Sequence, residues 1–156
     1  ADRAIGTPMT AMRLAGVDDL DRLMPMVEAF HREMGIGSDP VDREEALKPL
    51  LDGSPFGMIY LVGLDRALMG YAIVTLSWAV EFGGMDAFLD EFWVRPAVRG
   101  RGIGTDILTR LPEALGAHGV KAIHLEVDRA DEATRRMYNR AKFEDRERYM
   151  LMTRKL

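Results

Sequence analysis

A basic, glycine-rich run between residues 94 and 105 is the stretch of this sequence best suited to bind an anion. It reads Val94-Arg95-Pro96-Ala97-Val98-Arg99-Gly100-Arg101-Gly102-Ile103-Gly104-Thr105. An apolar segment before it predicts a strand, and the apolar spacing after it predicts an amphipathic helix. The first N–H groups of a helix lack intrahelical partners and carry partial positive charge. The pattern therefore predicts a phosphate-bearing cofactor at this loop, against the alternative of a solvated surface turn.

The spacing of the glycines restricts which cofactor the loop can hold. No Gly-Lys-Ser/Thr follows Gly104, so the Walker pattern is absent. The dinucleotide fingerprint Gly-x-Gly-x-x-Gly fails as well, because Thr105 or Ile107 stands at its last position. The pattern that fits is Arg-x-x-Gly-x-Gly, from Arg99 to Gly104. This hexamer resembles the acetyl-CoA loop of the GNAT family of N-acetyltransferases.

A second cluster, between Leu125 and Phe143, extends the resemblance. The family typically shows Leu-x-Val, then Asn, Ala, Tyr and Gly-Phe at fixed distances. Leu125-Glu126-Val127, Tyr138 and Phe143 stand at matching places, whereas the usual Asn, Ala and Gly are replaced by Asp131, Thr134 and Lys142. Two clusters in the right order are far more specific than one. The chain is therefore identified from its sequence as a member of this family.

The resemblance implies roles for particular residues. It assigns the pyrophosphate of acetyl-CoA to the loop residues Gly100, Arg101, Gly102, Ile103, Gly104 and Thr105, and the pantetheine amides to backbone groups of Phe92, Trp93 and Val94. Arg99 and Arg101 are either phosphate contacts or solvated charges. Asp131 replaces an asparagine that contacts the pantetheine arm or fixes a helix start; it can cap a helix but cannot donate an amide N–H. Lys142 either adopts a costly left-handed turn or forces a different helix end.

Acyl transfer to an amine needs a proton acceptor for the amine, and the leaving thiolate can take a proton. Tyr138 is the candidate donor to the thiolate, since a phenol stays protonated at pH 7; the alternative is a core tyrosine. Asp90 and Glu91 are the candidate bases, and only one of them can face the cleft unless a bulge intervenes. We favour Asp90 and retain Glu91. The alternative is that either one binds a cationic substrate or pairs with an arginine.

The predicted elements give an α/β (α+β) fold with a mixed, mostly antiparallel central sheet flanked by helices. The strands are placed at Met12–Ala15, Phe56–Gly63, Ala67–Val80, Phe88–Val94, Val120–Val127 and Tyr149–Thr153. The helices are placed behind Asp18 or Asp19, at Asp42–Leu51, from Ile103 onward and at Thr134–Ala141. His31 lies one residue from the apolar stripe of the first helix and is interpreted as a surface histidine. Residues 1–10 are expected to be a flexible segment, and residues 11–156 a single acetyltransferase domain.

Composition narrows the class of partner. The chain has 156 residues, no cysteine and a formal net charge of −4. Without cysteine there is no thiol to carry an acyl-enzyme, which favours direct transfer in a ternary complex. A net negative charge does not favour binding to nucleic acid, which is itself negatively charged. No apolar run of the sequence suggests a membrane partner. We expect a cytoplasmic enzyme without a metal, acting on a small-molecule amine, with a homodimer left open.

Two further readings of the function stay open at this stage. One is acetylation of a protein N-terminus or lysine, and the other is a non-catalytic CoA-binding sensor. An aromatic and acidic wall at the end of the long strand and its turn would suit a cationic amine, and the alternative is a strand end that exposes mixed residues. The members of this wall are Trp78, Glu81, Phe82 and Asp86.

Overall fold

The computed structural model describes residues 10–156, which form two compact units, one up to Glu126 and one from Val127 to Leu156. The predicted flexible segment 1–10 therefore lies outside the described residues except for Thr10, whose N–H donates to Asp106 Oδ2 at 2.6 Å. The first unit contains the following elements in chain order: β1 (Met12–Leu14), α1 (Leu20–Glu33), α2 (Pro40–Leu51), β2 (Gly57–Leu64), β3 (Ala67–Ala79), β4 (Gly84–Val94), α3 (Ile103–Ala117) and β5 (Ala122–His124). The second unit contains α4 (Glu132–Arg140).

The five strands form one open sheet in the order β1-β2-β3-β4-β5. The pairs from β1 to β4 are antiparallel, whereas β4 and β5 are parallel. Short turns can join only antiparallel neighbours, and the helical crossover through α3 brings the chain back in its original direction. The predicted fold class, a mixed and mostly antiparallel sheet flanked by helices, is confirmed.

Alternation along the strands divides the apolar side chains between the two faces of the sheet. One face packs with α1 and α2 through a core that includes Leu23, Val27, Ile59, Tyr71 and Trp93. The other face packs with α3 through Val62, Ile103 and Ile107, with Phe92 and Val94 at its border. The helical stripes read from the sequence are the surfaces that make these contacts. They place α1 against β3 and the C-terminal part of β4.

A β-bulge at Asp90 interrupts the alternation of β4. Ile73 of β3 pairs with Glu91, and the next residue, Val74, pairs with Leu89. Asp90 is the extra residue and has no partner on β3. Since one inserted residue reverses the facing of everything before it, Glu91 lies on the same face of the sheet as Phe88 and Asp86, the face that α1 covers. Strict alternation along β4 would place Glu91 on one face with Leu89, and the bulge puts the two residues on opposite faces.

Several predicted boundaries differ from the structure. β4 begins at Gly84 rather than at Phe88, because the left-handed Gly83 (φ 86°) closes a tight turn and returns Met85 and Asp86 to the sheet. β5 has three residues, far fewer than the predicted Val120–Val127. Residues Tyr149–Thr153 form no strand and have no place in the described sheet. Among residues 10–156, no helix is long and apolar enough to cross a membrane.

Candidate active site

The glycine-rich loop leads from the end of β4 to the start of α3 with an open backbone. Gly100 (φ 78°) and Gly102 (φ 81°) adopt left-handed conformations that favour glycine. Gly102 is the N-cap of α3, and no side chain caps the helix there. A Cβ atom at Gly100 or Gly102 would meet no other atom within 4 Å. The first turn of α3, at Ile103 to Thr105, therefore presents its N–H groups to an approachable space.

The two parallel strands beside this loop pair over a short distance only. Asp86 to Phe88 of β4 pair with Ala122 to His124 of β5. β4 continues to Val94, and within the described chain its residues beyond Phe88 have no ladder partner on the β5 side. Apart from the Val94 carbonyl, which accepts from Arg99 Nε, the N–H and C=O groups on that side are available to a ligand that binds as an extra strand. This stretch includes Phe92, Trp93 and Val94, for which the sequence predicts backbone contacts to pantetheine.

The two loop arginines differ in their surroundings. Arg99 donates from Nη2 to both carboxylate oxygens of Glu33 (2.8 and 2.9 Å) and from Nε to the Val94 carbonyl (2.7 Å). Burial alone would raise the pKa of Glu33, but hydrogen bonds from Trp93 and Arg99 outweigh it and hold the pKa below its usual range. Arg99 thus ties the loop to the end of α1. Arg101 is exposed and has no hydrogen bond or ion pair to the described residues.

A hydrogen-bonded cluster on the α1 face connects α1, the α1–α2 loop and β4. His31 Nε2 lies 2.7 Å from Glu91 Oε2, and His31 Nδ1 lies 2.7 Å from Ser38 Oγ. The side chains of His31 and Glu91 are only 13% and 14% exposed. Tyr71 donates its hydroxyl to the second oxygen of Glu91, Oε1, at 2.8 Å. Burial first, and the charge of Glu91 second, raise the pKa of Tyr71 far above its usual value, so its hydroxyl stays a donor.

The interpretation of His31 as a surface histidine is wrong. It follows Val27 by four residues, so it lies on the apolar stripe of α1 that faces the sheet. This spacing is the feature of the sequence that could have placed His31 on the buried side of α1. The partners are separated by 60 residues for Glu91 and 7 for Ser38, and only the fold brings them together.

Arg43, on α2, donates hydrogen bonds to Ser38 at the end of the cluster. Its Nη1 donates to the backbone carbonyl of Ser38 at 2.5 Å and to Ser38 Oγ at 3.0 Å. Its Nε is buried and has no partner among the described residues. The arginine therefore holds Ser38 of the α1–α2 loop in place beside His31.

The two predicted bases have separate environments. Glu91 is part of the cluster, whereas Asp90 occupies the bulge and its side chain is exposed. Desolvation raises the pKa of the Asp90 carboxyl, and the nearby His31 opposes this rise. The structure thus places Glu91 with an imidazole and a phenol, and leaves Asp90 without a hydrogen-bond partner among the described residues.

A second carboxylate–imidazole pair lies at the start of β4. His124 Nε2 is 3.0 Å from Asp86 Oδ2, with the rings of Phe82 and Phe88 beside the imidazole (centroids 5.3 and 6.4 Å away). Asp86 is 9% exposed, and its Oδ1 has no partner among the described residues. Trp78 by contrast is 72% exposed. The predicted wall is therefore not uniform, because one of its two acidic members, Asp86, is buried in the sheet.

In the second unit, Asp131 directly precedes the short helix α4 and Tyr138 lies within it. Asp131 caps α4 by accepting from the Thr134 backbone N–H (3.1 Å) and the Thr134 hydroxyl (2.7 Å), and these bonds lower its pKa. The predicted capping role is confirmed. Tyr138 packs edge-on against Phe143 with centroids 5.9 Å apart. Desolvation, helped by the charge of Asp131, raises the pKa of Tyr138 to about 12. Its phenol is therefore protonated at neutral pH.

Comparisons with known proteins agree with this arrangement of sheet, loop and helices. The family model described as "Acetyltransferase (GNAT) family" matches residues 23–143. Because the match covers most of the chain, the protein belongs to the GNAT family of acetyltransferases. This membership supports an acyltransferase and confirms the family resemblance of the sequence. No curated protein sequence matches the chain.

Solved structures repeat the fold over nearly the whole chain. An integron cassette protein, HFX_CASS3, from the mobile metagenome of Cole Harbour Salt Marsh has 30% identity and a TM-score of 0.80, covering 93% of this chain and 90% of its own. A structure described as a probable acetyltransferase has 17% identity and a TM-score of 0.81, covering 94% and 97%. The aminoglycoside acetyltransferase meta-AAC0020, from an uncultured soil metagenomic sample, has 15% identity and a TM-score of 0.78, covering 95% and 97%. The last two likenesses concern the fold alone.

Proposed function

We propose that this protein is an acetyl-CoA-dependent N-acetyltransferase that acetylates a primary amine of a small molecule by direct transfer in a ternary complex. The observation that carries the proposal is the separation of β4 and β5 after Phe88, directly beside the bulge and the Glu91 cluster. An unpaired strand edge that leads to an uncapped helix start is suited to a long ligand with amides and phosphates. The buried carboxylate and imidazole beside it are suited to proton transfer.

The residues present fit acetyl-CoA. The backbone of Phe92, Trp93 and Val94 would hold the pantetheine amides, and the loop from Gly100 to Thr105 would hold the pyrophosphate through N–H groups. Arg101, which has no protein partner in the described chain, is available to a phosphate, whereas Arg99 is engaged by Glu33. Both carboxylate oxygens of Asp131 bond Thr134, so its part is to fix the start of α4. When bound, the cofactor supplies an acetyl group activated as a thioester.

The protein side chains divide the proton chemistry between them. A carboxylate of β4, Glu91 or Asp90, serves the acceptor amine, and the Glu91 environment is the better suited because it is buried and connected to His31. Tyr138 donates to the departing sulfur, as the resemblance implies, and its raised pKa keeps it protonated for this role. A cationic acceptor suits the net charge of −4.

Release of free thiol from acetyl-CoA, followed with a panel of acceptors, tests the proposal. The panel contains small amines, including polyamines and aminoglycosides, and peptides with a free N-terminus or lysine. We expect thiol release with small amines. Release with peptides alone would make the protein a peptide acetyltransferase, and CoA binding without release from any acceptor would make it a sensor.

The Tyr138→Phe variant tests the assigned proton donor within the same assay. We expect a kcat well below the wild-type value with unchanged affinity for CoA, measured by calorimetry. Unchanged turnover would remove Tyr138 from the mechanism. Tyr149→Phe is the matched control, because that tyrosine is 58% exposed.

A further inference from the structure

Four side chains of the Glu91 cluster form a continuous chain of hydrogen bonds. It runs from Ser38 Oγ to His31 Nδ1 (2.7 Å), from His31 Nε2 to Glu91 Oε2 (2.7 Å), and from Glu91 Oε1 to the Tyr71 hydroxyl (2.8 Å). Four separate segments contribute: α1, the loop after it, β3 and β4. Each contact has the length of a strong hydrogen bond.

For a neutral imidazole, the donors and acceptors in this chain assign the position of each proton. An ionised carboxylate only accepts, so Glu91 holds His31 with its proton on Nε2. The neutral imidazole then has a lone pair on Nδ1, directed to Ser38. Arg43 can only donate, and it donates to Ser38 Oγ, so the serine hydroxyl directs its own proton to His31 Nδ1. The arrangement is a serine joined to a histidine that a carboxylate orients.

From this chain we infer that His31 is the proton acceptor of the reaction, that Ser38 transmits the proton to it, and that Glu91 is a positioning residue. The two oxygens of Glu91 are engaged by His31 and Tyr71, so the carboxylate orients these two groups. Ser38 is the end of the chain that lies in a loop and is only partly buried. The inference rests on the proposed function and changes which residue accepts the proton.

The proton balance of the reaction closes with these groups. The acceptor ammonium gives one proton to Ser38 Oγ as the serine proton passes to His31 Nδ1. The neutral nitrogen then forms the C–N bond to the acetyl carbon as the C–S bond breaks. The sulfur gains a proton from Tyr138, and the second nitrogen proton restores that phenol. His31 returns its proton to water, so the products are an amide, a free thiol and one proton.

Kinetics with two acceptors of different basicity test the relay. An alkylamine is charged at neutral pH and needs the base, whereas an O-alkylhydroxylamine is already neutral. We expect His31→Gln and Ser38→Ala to lower kcat on the alkylamine by about 10²-fold, the range of general-base catalysis. With the O-alkylhydroxylamine the loss should shrink to a few-fold. Ser38→Thr keeps a hydroxyl and should restore most of the rate.

Several measurements distinguish loss of the relay from misfolding of a variant and from failure of the proposed function. His118→Gln is the matched control, because His118 is exposed at the end of α3 and, among residues 10–156, its side chain bonds only the Ala114 carbonyl. CoA affinity and circular dichroism should be unchanged in every variant. Equal losses with both acceptors would overturn the relay and make the cluster structural. Full activity of His31→Gln beside an inactive Glu91→Gln would make Glu91 the base. A wild-type protein that releases no thiol would overturn the proposed function itself.

Discussion

The two carboxylate–imidazole pairs on β4 contain the same chemical groups but differ in their hydrogen-bond partners. In the Glu91–His31 pair both ring nitrogens and both carboxylate oxygens have hydrogen-bond partners, and the pair continues to Ser38. In the Asp86–His124 pair one carboxylate oxygen has no partner among residues 10–156, and aromatic rings flank the imidazole. A buried pair becomes a proton relay only when its outer atoms are connected to a group that a substrate can reach. The first pair meets this condition through the α1–α2 loop.

The bulge is what brings both pairs to the same face of the sheet. Asp90 is the extra residue, and without it Glu91 and Asp86 would lie on opposite faces, since they are five positions apart in the sequence. Whether the two pairs lie on the same face of the sheet therefore depends on Asp90, a residue without a cross-strand partner.

Among the changes proposed here, deletion of Asp90 should lower the activity most, because it removes the bulge. Restored alternation moves Glu91 or Asp86 to the α3 face and separates Glu91 from His31. We expect thiol release to fall by more than about 10³-fold, toward the upper range for loss of general-base catalysis. Asp90→Ala keeps the bulge and is the matched control, with kcat within a few-fold of wild type. If Asp90→Ala alone abolishes turnover at unchanged CoA affinity, Asp90 is the base and the assignment of the Glu91 cluster is wrong.

Neutralising each carboxylate in turn compares the pairs directly. Glu91→Gln should lower kcat by about 10²-fold, because the amide no longer fixes the imidazole with its proton on Nε2. Asp86→Asn should change kcat only a few-fold, because its pair has no connection to the α1–α2 loop in the structure. Steady-state kinetics on one alkylamine acceptor check both. Equal losses in the two variants would contradict the distinction between relay and isolated pair.

Removal of the Tyr71 hydroxyl should make the first pair resemble the second. Tyr71→Phe leaves Glu91 Oε1 without its donor, as Asp86 Oδ1 is without one. A buried acceptor that loses its partner costs about 1–3 kcal/mol, so the free energy of unfolding in urea should decrease by that amount. Tyr60→Phe is the control, since the Tyr60 hydroxyl has no hydrogen bond among the described residues. Equal changes in the two variants would show that the bond to Glu91 does not stabilise the fold.

Local patterns in the sequence predicted the elements and the loop, because helical stripes and glycine spacing act over a few residues. Ile107, Leu108, Leu111 and Leu115 form the buried face of α3, and Gly102 begins that helix, as predicted. The bulge was not predictable, since the extra residue is defined by the pairing of Ile73 and Val74 with β4. Alternation without a bulge places Asp90 on one face with Phe92 and Val94, and the choice between Asp90 and Glu91 as the base stays a prediction. His31 was missed because its partner lies on another element, although its spacing from Val27 placed it on the buried stripe.

Lys142 is the position where the sequence identified a strain that the structure shows. It adopts φ 72° where the family usually has glycine, and it is the one non-glycine residue with positive φ in the described chain. A Cβ atom in this conformation costs about 1 kcal/mol, so Lys142→Gly should raise the free energy of unfolding by up to that amount. Lys142→Ala, which keeps the Cβ atom, should give no comparable gain, and urea titration distinguishes the two. Because Lys142 belongs to neither pair, the variant should leave the ratio of the Glu91→Gln and Asp86→Asn rate losses unchanged. A change in that ratio would mean that general stability, and not the connection to Ser38, sets the difference between the pairs.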